Sequence, residues 1–339
     1  MAARRNVTRL AVSIVVLAWL AYLPQYYGQS ELVPWAEAVY FSVAALGLNL
    51  LTGYNGQISI GHGAFFGLGA YTTAILMEHN GWQFLPTLPV VIAIALAIGA
   101  AFGFPALRLK GLYLALITLG LAALFPDLVN RFASKYGTAG TSLIQPPRVL
   151  APEWASGFTD ADDQYRYYMA LVIAAVMLVF AANLVRGRYG RALVAVRDHE
   201  AAASTLGINV ARVKVSAFAI SAAYAAVAGS LSVLVGGSAN AGKVEVFQQS
   251  ILFLVAVVIG GTATVVGPVV GAYVVVFGQD FAKDIFDDKP QLAPAVFGVL
   301  LVVLMYVLPD GIVGGLRRAS ARRARRDRTP PLPSASPAH

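Results

Sequence analysis

From Gly53 to Tyr71 the chain reads GYNGQISIGHGAFFGLGAY, with Asn55, Gln57, Ser59 and His62 set among a run of glycines. Amides and hydroxyls in such a setting meet water, backbone or a passing solute through hydrogen bonds. Glycine costs a helix about 1 kcal/mol relative to alanine, so Gly53, Gly56 and Gly61 are expected to break the preceding apolar helix. Irregular backbone in an apolar region persists only where protein or a water-filled cavity satisfies its polar groups. Two readings follow. Asn55, Gln57 and Ser59 line a polar path at the break, or they cap the broken helix ends while Gly63 and Gly67 let two helices approach. His62 by itself reads as a loop or capping histidine rather than a ligand.

A second stretch, IGGTATVVGPVVGAY over 259–273, repeats the plan. An apolar run meets a break at Gly260 and Gly261, then Gly267 and Pro268, with Thr262 and Thr264 as its polar groups. Both stretches end in Gly-Ala-Tyr, which suggests two related halves. The third stretch, 186–214, carries six basic residues against Asp198 and Glu200. It favours one helix from Arg191 to Leu206, closed by Gly207 as a C-cap. Ala192, Val196, Ala203 and Leu206 are expected on an apolar stripe, with Arg191, Arg197 and Glu200 on the polar side. Such a helix either lies on a lipid surface or docks into a partner's groove.

Reactive chemistry is otherwise sparse. Gly242-Lys243-Val244 does not make a phosphate loop, and Asp127 and His62 are too isolated for an enzyme's acid, base or nucleophile. The chain has no cysteine, which excludes disulfides and thiolate metal sites. Carboxylates and basic groups are expected to lie outside the apolar segments, which argues against an ion-coupled secondary transporter.

These stretches need an apolar scaffold, and the composition supplies one. Of 339 residues, 58% are hydrophobic and 12% charged, and the mean hydropathy is +0.68. A soluble domain carries about 25% charged residues, so this chain is read as an all-α polytopic membrane protein. Charge-free windows at 10–25, 38–52, 63–77, 88–107, 112–126, 167–185, 215–235, 250–279 and 292–308 mark its helices. They imply eight to ten transmembrane segments with glycine-broken helices, ten if 250–281 crosses twice. The positive-inside bias puts both termini and the 186–214 loop in the cytoplasm. Residues 1–316 form the membrane domain, with the first span uncleaved. The segment 317–339, Arg-rich then Pro/Ser-rich, is read as a disordered cytosolic tail.

Five blocks resemble one family: residues 47–76, 107–120, 190–231, 251–273 and 304–314. They are similar to the branched-chain amino acid ABC transporter permeases, specifically the LivM-like subunit, and lie in the family's order over most of 40–315. The resemblance implies a non-enzymatic permease subunit in a bacterial inner membrane. Its implied partners are a second, LivH-like permease, two ABC ATPases that hold ATP and Mg, an external solute-binding protein and lipid. No cofactor on this chain and no nucleic acid are implied. The 190–212 region then looks like a coupling helix, with Arg191, Arg197, Glu200, Ala202, Ala203 and Gly207 as docking candidates. Ala202-Ala203 with Gly207 resembles the core of the importer coupling motif, although the motif's Glu would fall at Ala201. Relatives carry urea, short amides or other amino acids, so the cargo stays open between these and branched-chain amino acids.

Overall fold

A computed structural model describes residues 19–315 apart from 21, 27–28, 110, 136–142, 153–161, 241–242, 286–291 and 308–310. Most of the expected first span and the whole 317–339 tail lie outside the described residues. The rest is helical. The helices are α1 (Gln29–Asn49), α2 (His62–Asn80), α3 (Phe84–Ala106), α4 (Leu112–Lys135) and α5 (Asp162–Arg186). They continue as α6 (Arg188–Asp198), α7 (Glu200–Thr205), α8 (Val210–Gly236), α9 (Lys243–Gly260), α10 (Gly267–Ile285) and α11 (Ala293–Val307). Two-residue strands β1 (Leu143–Ile144) and β2 (Ala239–Asn240) pair antiparallel and tie the loop before α5 to the end of α8.

Burial separates a central pair from a shell. Within their most apolar windows, Glu31–Tyr54 and Val210–Gly236 are each 83% buried, whereas Asp162–Arg186 is 17% buried. The shell turns Val172, Val176, Val179 and Phe180 outward. Apolar surface of that extent needs lipid, not water. Among the described residues five helices are long and apolar enough to cross a membrane, and α9 carries a shorter apolar stretch, Val246–Gly260.

Small residues let α2 and α3 close on α8. A Cβ on Gly69 would fall 1.9 Å from the Ala226 carbonyl oxygen, and one on Gly229 would fall 1.8 Å from that of Phe66. Thr73 donates to Ser230 at 2.8 Å one turn further along, so α2 and α8 run parallel. Gly99 faces Ala222 and Gly103 faces Val215, which makes α3 antiparallel to α8. α2 starts beside Ser221, about 16 Å along α8 from its first residue. It is therefore a partial-length helix, as the glycine-rich sequence before it suggested.

The 250–281 window is two antiparallel helices, with Gly260 against Gly267 and Gly271 against Ala256. Two expectations need correction. Residues 190–207 do not form one helix: His199 is extended (φ −154°, ψ 97°) and divides α6 from α7. The cause is tertiary, because Glu200 pairs with the buried Lys214 at the start of α8 and turns α7 away from the axis of α6. Leu193, Val196 and Ala203 are buried as a stripe, but Leu206 falls beyond the turn and is 79% exposed. The spans also contain charge: Glu37 sits within α1, and Asp280 and Lys283 within α10. The helices extend past the charge-free windows used to find them.

Candidate functional site

The two glycine breaks meet, and a residue not singled out from the sequence joins them. Asn49, the last residue of α1, donates from Nδ2 to the Thr264 carbonyl at 2.7 Å. Its Oδ1 accepts from the Ala263 N–H at 3.0 Å. The only signal in the sequence was one amide in an otherwise apolar window, a turn before Gly53. Gly53 is not itself a break. It lies in a π-helical turn, Leu50–Tyr54, that continues α1. A Cβ there would fall 2.2 Å from Asn49 Oδ1 and 2.6 Å from Ala263 N.

The break proper spans 55–61. Gly56 has φ +73°, a backbone conformation that favours glycine, and Gly61 precedes the first residue of α2. Backbone groups in this loop find partners on neighbouring helices. Gln57 N–H donates to Leu51 O at 3.1 Å, Thr52 Oγ1 donates to Gln57 O at 3.1 Å, and Ile60 N–H donates to Thr118 Oγ1 on α4 at 3.0 Å. The side chains of Asn55 and Gln57 differ. Both are buried, and both amide atoms of each have no hydrogen-bond partner among the described residues. Burying an amide this way costs about 1–3 kcal/mol by protein mutational data.

Ser59 has partners, in a chain with one consistent direction. Gly61 N–H reaches Ser59 Oγ at 3.4 Å, and Ser59 Oγ lies 3.0 Å from His62 Nδ1. His62 Nε2 lies 2.5 Å from Ser221 Oγ, which donates to the Gly47 carbonyl at 2.6 Å. Since the Ser221 proton goes to Gly47, a neutral His62 donates from Nε2 and accepts at Nδ1 from Ser59. His62 is thus a hydrogen-bonded clamp of α1, α2 and α8 rather than a cap: Gly61 is the N-cap of α2, and no side chain caps that helix. Among the described residues no His, Asp or Glu cluster suits a metal.

At the second break, Thr264 Oγ1 donates to Gly261 O at 2.8 Å and accepts from Gly267 N–H at 2.9 Å. Thr264 caps α10, where Pro268 occupies the second position, a place that requires no N–H donor. Thr262 is exposed at the turn. Gly260 is the last residue of α9, and Gly261 takes φ +112°.

The 186–214 loop reaches the same place. Arg197 Nη1 donates to the Gly53 carbonyl at 2.8 Å, and its Nε to Asp198 at 2.9 Å. A Cβ on Gly56 would fall 2.7 Å from Arg197 Cγ, so only glycine lets the loop rest on this side chain. Half-buried Tyr189 on α6 shares a 2.8 Å hydrogen bond with Ser216 on α8, and burial pushes its phenol pKa up. Gly207 (φ +80°) closes α7 in a Schellman turn, with Ile208 N–H donating to Ala203 O at 3.1 Å. Arg191, Ala202, Leu206 and Gly207 are exposed, whereas Ala203 is packed inside.

A helical scaffold with lipid-type surfaces, joined breaks and a loop bolted to them matches one family model, the branched-chain amino acid transport system permease component, over residues 35–306. The chain belongs to this family. It is 30% identical over 322 residues to the high-affinity branched-chain amino acid transport system permease protein LivM of Salmonella typhimurium, covering 90% of this chain and 74% of that one. The LivM of Escherichia coli is 32% identical over 291 residues, 80% of this chain and 67% of that one. The LivH permease protein of Escherichia coli is 24% identical over 290 residues, 81% of this chain and 91% of that one. No solved structure matches significantly. The family covers both breaks and the intervening loop, so these features belong to a LivM-like permease.

Proposed function

We propose that this chain is one of two permease subunits of an ATP-driven importer for branched-chain amino acids. It works beside a LivH-like permease in a bacterial inner membrane. Its relatives, named as branched-chain amino acid permeases, support the cargo. The reading of the mechanism is carried by one observation, the Arg197 hydrogen bond to Gly53.

In this reading the 186–214 loop is cytoplasmic and meets one of two ATPase partners, which hold ATP and Mg. Leu206, Ala202 and Gly207 form the projecting contact, while Ala203 and Glu200 hold α7 to the bundle. A shift of α6 moves the guanidinium of Arg197, and with it the carbonyl of Gly53 and the loop resting on it. That movement opens the 55–61 break and turns the amides of Asn55 and Gln57 from protein toward the path. Their missing partners are then water and cargo. Thr262 is exposed beside this break, whereas the hydroxyls of Ser59 and Thr264 hold its frame.

Reconstitution tests the assignment. Proteoliposomes holding the chain, a second permease, the ATPases and the external binding protein should accumulate leucine only with ATP, and should not accumulate urea. Urea uptake without leucine uptake would refute the cargo; uptake of leucine without the ATPases would refute the class.

A further inference from the structure

Far from the Arg197 contact, α1, α9 and α10 enclose a second polar site. Tyr40 and Gln249 are shared walls of two adjoining cavities. The smaller, about 80 Å³, is also lined by Glu37, Gln279, Asp280 and Lys283. The larger, about 230 Å³, adds apolar walls from Phe66, Ala70 and Val246. Glu37 lies about 24 Å up α1 from Gly53, so the site and the break occupy opposite parts of one helix.

The unmet groups here are acceptors. Gln249 Oε1 and Asp280 Oδ2 are buried with no hydrogen-bond partner among the described residues. Lys283 Nζ is engaged with the other carboxylate oxygen of Asp280 at 2.8 Å and is itself largely exposed. Among the described residues, the charged side chains lining the smaller cavity are thus two carboxylates against one lysine, with a carboxylate oxygen and an amide oxygen to spare. A ligand that completes such a set brings several N–H donors and a positive charge. A primary ammonium does both, through charge-assisted hydrogen bonds. The larger cavity, walled by Phe66, Ala70 and Val246 together with Ser232 and Ser238, leaves room beside it for an aliphatic group.

We propose that Glu37, Gln249 and Asp280 form a cradle for the α-ammonium of an aliphatic amino acid, with its side chain in the larger cavity. The proposal rests on the importer reading and adds the permease's own recognition of cargo. It predicts a preference for amino acids over neutral amides such as urea, which bring donors without charge.

The test uses the detergent-solubilised transporter without its external binding protein, with radiolabelled leucine as probe. Leucine should bind, 3-methylbutylamine should displace it, and 4-methylpentanoate and urea should not. Glu37→Gln and Asp280→Asn should each weaken leucine binding about tenfold or more. Gln249→Glu should tighten 3-methylbutylamine, a gain that misfolding cannot produce. Absence of leucine binding, displacement by 4-methylpentanoate or urea equal to that by the amine, or unchanged affinity in the Glu37→Gln and Asp280→Asn double variant would overturn the cradle. If proteoliposomes of the complete transporter still accumulate leucine with ATP, the importer reading survives such a result; if they do not, that reading fails instead.

Discussion

His62 Nε2 and Ser221 Oγ lie 2.5 Å apart, joining the first residue of α2 to the middle of α8 across 159 positions of chain. The contact holds a partial-length helix at its exposed backbone end. His62→Ala should leave Ser59 and Ser221 with unmet hydroxyl groups and lower stability by about 1–3 kcal/mol. His62→Gln retains one donor and one acceptor and should recover part of this. Thermal unfolding of the detergent-solubilised subunit reads both, and equal losses in the two variants would reject the clamp.

Asn49 offers a sharper test, because its two bonds differ in kind. Asn49→Asp can still accept from Ala263 N–H but cannot donate to the Thr264 carbonyl, and it buries a charge. Both Asn49→Leu and Asn49→Asp should therefore destabilise by about 1–3 kcal/mol or more, with Asp the worse. If Asn49→Asp matches wild type in unfolding temperature, the two breaks are not joined through this amide.

Glycine positions separate close approach from mere composition. Gly229→Ala would force a Cβ to 1.8 Å from the Phe66 carbonyl oxygen, which backbone cannot yield, and should abolish a folded subunit. Gly120→Ala in α4 has open space around it and should be neutral or stabilising by up to about 1 kcal/mol. Fluorescence-detected size exclusion after mild extraction distinguishes the pair.

The sequence was most readable where the reason was local. Glycine at 56 and 207 marks backbone with positive φ, and both positions were identified from composition alone as a break and a cap. What escaped reading depends on distant partners. Asn49 is one amide in an apolar run, and its role exists only because 263–264 folds back onto it. The division of 190–207 at His199 depends on Lys214, and no propensity in the helix itself signals it. Glu37 and Asp280 fall just outside the charge-free windows, because such windows end where charge begins, whereas helices continue as long as their hydrogen bonds do.

Arg197 should be the residue whose loss separates ATP hydrolysis from the membrane path. Arg197→Glu should insert normally yet lose stimulation of ATP hydrolysis by loaded binding protein, since a carboxylate cannot donate to the Gly53 carbonyl. Arg197→Lys keeps a donor and should retain a fraction of the response. Normal stimulation in Arg197→Glu would break the proposed link.

Asn55 and Gln57 decide whether the break is a path or only a joint. Their four amide atoms are buried without partners among the described residues, whereas Ser59 and Thr264 are held by named bonds. If the break opens during transport, single cysteines at 55 and 57 should react with a small water-soluble thiol reagent in one nucleotide state and be protected in the other. The chain has no cysteine of its own, so the labelling is unambiguous. Cysteine at exposed Thr262 should react in both states, and cysteine at Thr264 should cost stability by uncapping α10. Protection of 55 and 57 in both states, with leucine transport intact, would place the path elsewhere. The amides would then be a fixed internal cost of the turn, which their burial of about 1–3 kcal/mol each makes expensive to retain without a function.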